Sequence, residues 1–216
     1  MGFLSGFFKR ERVKKSGGCI GEDKGCYISE DFKTGIFLEG SSEKVRERIK
    51  TLLVERLLGI GKEDPKGYIR RVLEELNSEL YSEKEEISAI VFHQLEKHVV
   101  LVHIGVSRAY IVRENEIIQI TEDDTQGWQL FKSGLLEEEK LRESPLGRML
   151  SKSLGRGRSV QLNTGEYYFT VGEKLLLISG GKAMEYGDER LWDILGSSID
   201  GSLEDFREDG YLLKTF

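Results

Sequence analysis

Nucleophilic, acid–base and metal chemistry each need particular side chains held close together, and this chain offers few of them. Its three histidines, His93, His98 and His103, do not make a metal triad. His93 and His103 fall in the middle of β-rich runs and His98 in a connection, so hydrogen-bonded core histidines are expected. Cys19 and Cys26 are the only cysteines. They are too few and too widely spaced for a zinc site or a disulfide framework, which predicts a free, reduced pair. Arg108 is expected to support the fold by pairing with an acid or a carbonyl. Gly155-Arg-Gly-Arg158 is a basic, flexible loop of the kind that can hold an anion. Three short acidic motifs remain. On spacing alone, Glu22-Asp23 reads as a solvated turn, Glu39-Gly40 as a strand end and Asp209-Gly210 as a β-turn.

The elements that must position these groups are legible from periodicity. Residues 19–39 read as two strands, one holding Ile20 and Cys26–Ile28, the other Ile36–Leu38, joined through Glu30–Thr34. Val45, Ile49, Leu52, Leu53 and Leu57 then share one helical face, with Ser41 or Ser42 as the cap and Gly59 and Gly61 as the stop. Asp64-Pro65 opens a second helix with a stripe at Ile69, Val72, Leu73, Leu76 and Leu80. Hairpins follow at Ile87–Leu95 with His98–Ile104, and at Ala109–Arg113 with Glu116–Thr121. Residues 122–158 read as irregular or helical, with a leucine stripe at Leu135, Leu136 and Leu141. Strands are expected at Val160–Leu162, Glu166–Thr170 and Lys174–Ser179, a short helix at Asp188–Leu195 and a closing strand at Gly210–Phe216. Helices grouped between blocks of strands predict an α+β fold with two packed antiparallel sheets.

Several stretches, in order, resemble the protein phosphatase 2C-like (PPM) family. Gly105-Val-Ser-Arg-Ala-Tyr110, then Thr121 and Asp123-Asp124, is similar to the family's Gly-Asp-Ser-Arg hairpin and its Leu-Thr-x-Asp-His. Met149-Leu-Ser-Lys-Ser-Leu-Gly155 is similar to Leu-Thr-Arg-Ala-Leu-Gly, and Gly172-Glu-Lys-Leu-Leu-Leu-Ile-Ser-Gly-Gly181 to Gly-Asp-x-Leu-Leu-Leu-x-Ser-Asp-Gly. Gly21-Glu-Asp23, Gly35-Ile-Phe-Leu-Glu-Gly40 and Asp209-Gly-Tyr-Leu-Leu213 complete the set. The resemblance implies two stacked antiparallel β-sheets flanked by helices, an α-β-β-α sandwich, over residues 19–216. Residues 1–18 would form a separate basic and aromatic tail.

The family's reaction is hydrolysis of a phosphate ester by two Mg²⁺ or Mn²⁺ ions held by carboxylates, which clamp the phosphoryl oxygens and activate a water. Carried over residue by residue, the resemblance places Glu22, Glu39, the Gly40 carbonyl and Asp209 as metal ligands. It also puts Gly180, Val106 and Met184 where the family has acids, and Gly18 where it has a phosphate-binding arginine. Glycine, valine and methionine side chains cannot hold a hard cation. Removing carboxylates also removes the charge that offsets repulsion between two dications. What remains is room for one weakly held Mg²⁺ or Mn²⁺ ion and no assignable catalytic residue.

The whole-chain balance fits that lineage. The chain has 216 residues, 38% of them hydrophobic and 32% charged, with a net charge of -6. This is a soluble, single-domain composition that argues against nucleic acid as a partner. Abundant Glu and Lys beside only two Pro and two Cys lean toward heat adaptation. No apolar run approaches the roughly 20 residues of a membrane span, and charge follows rather than precedes the first apolar residues, so a cytoplasmic protein is expected. In the tail, Phe3, Leu4, Phe7 and Phe8 precede Lys9, Arg10, Arg12, Lys14 and Lys15. Such a segment can pack on its own domain or rest on an anionic membrane. Three functions follow from this reading. The preferred one is a pseudophosphatase acting in signalling by binding a protein partner, a phosphoprotein or a ligand. The others are an active Mg/Mn-dependent phosphoserine/phosphothreonine phosphatase, of a stage II sporulation E-like branch, and a membrane-surface scaffold anchored through residues 1–18.

Overall fold

A computed structural model describes residues 17–20, 25–61, 63–96, 98–114, 116–196 and 211–216. Two five-stranded antiparallel sheets are stacked. The first has the order β1(Gly17–Ile20), β10(Tyr211–Thr215), β9(Lys174–Ile178), β6(Arg108–Val112), β7(Ile117–Gln119); the second has β2(Cys26–Ile28), β3(Thr34–Glu39), β4(Ser88–Gln94), β5(Val99–Ile104), β8(Asn163–Tyr167). Between the sheets lies an apolar layer that includes Phe37, Ile90, Phe92, Leu101, Leu175, Leu177 and Leu212. The other face of the second sheet packs on α1(Glu43–Leu57) and α2(Pro65–Glu83), through Ile36, Leu38, Ala89 and Val91 against Ile49, Leu53, Ile69, Leu73 and Leu76. The other face of the first sheet packs on α5(Gly180–Gly196) through Tyr110, Leu176, Leu191 and Tyr211. Alternation along each strand assigns one side chain to the inter-sheet layer and the next to a helix, which produces the α-β-β-α order.

Local signals fix most boundaries. Ser42 caps α1, its Oγ accepting from the Val45 N–H at 3.3 Å, and Asp64 caps α2, with Pro65 at the first helical position. Both apolar stripes face the sheet. Three expectations need correction. The stretch before β3 is two strands in different sheets, β1 and β2, rather than one. Val160–Leu162 lies outside any strand; Leu162 is buried against the α1/α2 layer while the ladder starts at Asn163. The leucine stripe at Leu135, Leu136 and Leu141 is not a face at all. Leu135 is 76% exposed and Leu141 7%, because a turn at Gly134 separates α3(Gln126–Lys132) from α4(Glu138–Glu143).

The cysteines are also a correction. Cys19 and Cys26 form a disulfide, with their Cα atoms 5.8 Å apart. The chain crosses from the first sheet to the second within five residues, so two cysteines seven apart in sequence meet across the edge of the sandwich. Spacing alone could not reveal this, because it depends on which sheet each strand joins. Among the described residues no helix is long and apolar enough to cross a membrane.

Candidate functional site

The end of β3 carries Glu39 on the inter-sheet face, opposite Ser88 in β4. Its carboxylate reaches across to the first sheet. Ser107 Oγ donates to Glu39 Oε2 at 2.8 Å and the Gly180 N–H donates to the same oxygen at 3.0 Å. Gly180 is the first residue of α5, so Glu39 meets the positive end of that helix. Burial pushes the Glu39 carboxyl above the ordinary carboxylate range, and the bonds from Gly180, Ser107 and Gly181 only partly oppose this. Gly40 follows at φ +94°, a conformation that suits glycine. Its carbonyl accepts from Arg46 Nη1 at 3.1 Å, and the Ser41 carbonyl accepts from the same nitrogen at 3.0 Å. The carbonyl that would face a metal ion in the family therefore faces a guanidinium.

At Gly180 the place of a missing acid is filled. A Cβ on Gly180 would lie 2.1 Å from the Val106 carbonyl oxygen, far inside contact distance. The Val106 backbone is itself held, its N–H donating to Ser88 Oγ at 3.1 Å. Met184 lies on α5 and Gly18 pairs with Leu213 in the β1–β10 ladder. Glu22, with Asp23, and Asp209 fall outside the described residues. Among the described residues no group of three His, Cys, Asp or Glu is placed to hold a metal ion.

Neighbouring charges are engaged in the fold. Arg108 grips Asp123 in a fork, Nε to Oδ1 at 2.9 Å and Nη2 to Oδ2 at 2.6 Å, which is the supporting role expected of it. Burial works against the guanidinium charge, and the Asp123 carboxylate more than compensates, raising its pKa overall. Burial also pushes the adjoining Tyr110 phenol up to about 12. Asp124 Oδ2 accepts from the Gly105 N–H and from Asn163 Nδ2, both at 3.0 Å. The Gly155–Arg158 loop is pinned rather than open: Asn77, 1% exposed in α2, accepts from the Gly155 N–H at 2.8 Å and donates to the Gly157 carbonyl at 3.0 Å, while Arg156 pairs with Glu86 at 2.9 Å. His93 Nδ1 bonds Thr34 Oγ1 at 2.9 Å, as a core histidine would. His103 departs from that expectation. It is buried, its Nδ1 meets no partner among the described residues, and burial depresses its pKa to about 4.

Sequence reasoning located Glu39 and Gly40 through the strand they end, but missed Arg46 and Ser107. Ser107 is in the quoted Gly-Val-Ser-Arg run. A cation on the first turn of a helix directly after a candidate carbonyl ligand was the available signal for Arg46.

No protein-family model matches the chain. The serine/threonine phosphatase stp of Listeria welshimeri is 27% identical over 143 residues, which is 62% of this chain and 57% of that protein. The protein phosphatase PhpP of Streptococcus pneumoniae is 30% identical over 114 residues, 53% of this chain and 45% of that protein. The chain thus spans about half the length of the curated relatives it matches. Among solved structures, the serine/threonine phosphatase Stp1 from Staphylococcus aureus covers 94% of this chain and 95% of its own at a TM-score of 0.77 and 18% identity. The fold is that of the protein phosphatase 2C-like structures. A further neighbour with that fold is the catalytic domain of PstP in complex with two manganese ions, at a TM-score of 0.62 and 19% identity, covering 92% of this chain and 96% of its own.

Proposed function

We propose that this protein phosphatase 2C-like domain is a pseudophosphatase that acts in signalling by binding a partner or ligand. The observation that carries the reading is the use of Glu39. The carboxylate matched to the ion-bridging acid instead fastens β3 to Ser107 and to the start of α5. Two further features support it. The place of the next acid, at Gly180, is closed by the Val106 carbonyl, and the Gly40 carbonyl is turned to Arg46. These residues do not fit a pair of Mg²⁺ or Mn²⁺ ions, because a cation there would compete with a fixed guanidinium and lack its carboxylates. One ion on Glu22, Glu39, Gly40 and Asp209 would have to displace the same bonds. No step of phosphate hydrolysis is therefore assigned to the chain.

The second reading, an active Mg/Mn-dependent phosphoserine/phosphothreonine phosphatase, draws on the names of the relatives. One experiment separates the two. The purified chain is incubated with Mn²⁺ or Mg²⁺ and either p-nitrophenyl phosphate or a phosphothreonine peptide. The expected result is no turnover above buffer. Metal-dependent turnover abolished by both Glu39→Ala and Asp209→Ala would overturn the pseudophosphatase reading.

A further inference from the structure

A wide concavity lies away from Glu39, at the far end of the same sheet, about 17 Å away along β3. It is a cleft of about 1130 Å³. Its floor is the start of β3 and the end of β4, and one wall is the end of α1. That wall is apolar and unusually bare: Leu58 is 79% exposed at the lip, above Val54 and Ile60. The rim is acidic, with Glu30, Asp31 and Glu96 against Lys33. A smaller cleft of about 200 Å³ shares Gln94, Glu96 and His98 with it and runs on to Lys214 and Phe216.

The joined clefts lead to the place where the N-terminal segment meets the fold. Gly17 pairs with Lys214 in the β1–β10 ladder, and Lys214 Nζ bonds the Phe32 carbonyl, in the turn that borders the large cleft. Residues 1–16 precede Gly17 and match the cleft in order and in kind. Nearest Gly17 are Lys9, Arg10, Arg12, Lys14 and Lys15, opposed only by Glu11; farther out are Phe3, Leu4, Phe7 and Phe8. Phe8 is nine residues from Gly17, a reach of up to about 30 Å when extended. A run of cations followed by aromatics is complementary to an acidic rim followed by exposed leucine.

We propose that residues 1–16 of the same chain dock in this cleft, with the basic run against Glu30, Asp31 and Glu96 and the phenylalanines against Leu58 and its neighbours. The reading is independent of whether the chain hydrolyses phosphate. To test it, the full chain is prepared with a photo-reactive benzoyl-phenylalanine in place of Phe7, illuminated at low micromolar concentration, and the adducts are mapped by mass spectrometry. Adducts at monomer mass to residues 27–34, 54–60 or 93–98 are expected. Leu58→Asp, at an exposed position and with its melting curve recorded alongside, should lower their yield about tenfold. Adducts elsewhere, adducts at dimer mass, or a yield insensitive to Leu58→Asp would overturn the proposal. So would co-sedimentation of the full chain with phosphatidylglycerol vesicles that abolishes the adducts, which would give the segment to a membrane instead.

Discussion

At the scale of single residues, Glu39 is the side chain whose behaviour distinguishes a fold-holding acid from a metal ligand. Its pKa is raised by burial, so the folded state binds a proton more tightly than the unfolded chain. Stability is then greatest with Glu39 protonated and declines as pH rises from the ordinary carboxylate value of 4.5 through the raised folded value. Replacing Glu39 by Gln keeps an acceptor for Ser107 Oγ and the Gly180 N–H without the buried charge. Glu39→Gln is expected to match or exceed the parent in urea denaturation at pH 7 and to flatten that pH dependence. Glu39→Ala removes the acceptor of these donors and is expected to cost about 1–3 kcal/mol. A Glu39→Gln variant several kcal/mol less stable than the parent would mean that the charge itself is needed there. The acid was legible in the sequence only as a strand end beside a glycine. Its partners were not, because Ser107 and Gly180 lie far along the chain and meet it only when the sheets stack.

At the scale of elements, the two long helices and most strands were readable because one face of each is apolar with a clean period and each helix carries its own cap. α5 was half missed for the opposite reason. Asp188–Leu195 has the pattern, but the helix begins at Gly180-Gly181, where two glycines work against helix formation. Tertiary bonds supply what propensity lacks: Glu39 takes the Gly180 N–H, and Ser179 Oγ accepts from the Lys182 N–H at 3.3 Å. Gly187, at φ +70°, marks the bend between the two halves. The loop that follows the short 3-10 helix Pro145–Arg148 shows the same dependence on a distant group, since Asn77 of α2 satisfies backbone groups at both Gly155 and Gly157. Asn77→Leu keeps the branched shape but removes the side chain's bonds to Gly155, Gly157 and Arg158 from a buried position. It is expected to cost about 1–3 kcal/mol in urea unfolding and to speed hydrogen exchange at Gly155 selectively. Exchange unchanged at Gly155 would show that the loop does not need α2 to hold it.

At the scale of the whole molecule, the two sheets are joined by the apolar layer between them and, at one edge, by the Cys19–Cys26 bond. That bond runs from a strand of the first sheet to a strand of the second, so it ties the layers and not merely a hairpin. It also encloses residues 20–25, and with them Glu22. Closing so short a loop in the unfolded chain is worth about 2–3 kcal/mol on the chain-entropy account. A disulfide is at odds with an ordinary reducing cytoplasm, but it occurs in intracellular proteins of hyperthermophiles, the direction in which the Glu- and Lys-rich composition also leans. Thermal unfolding with and without a reductant tests the staple directly. Reduction is expected to lower the melting temperature by roughly 5–10 °C in a chain of this size. A Cys19→Ser/Cys26→Ser variant should melt at the reduced value and ignore the reductant. If the parent melts at one temperature in both conditions, the bond adds nothing to the apolar layer and the Glu39 bonds that already join the sheets.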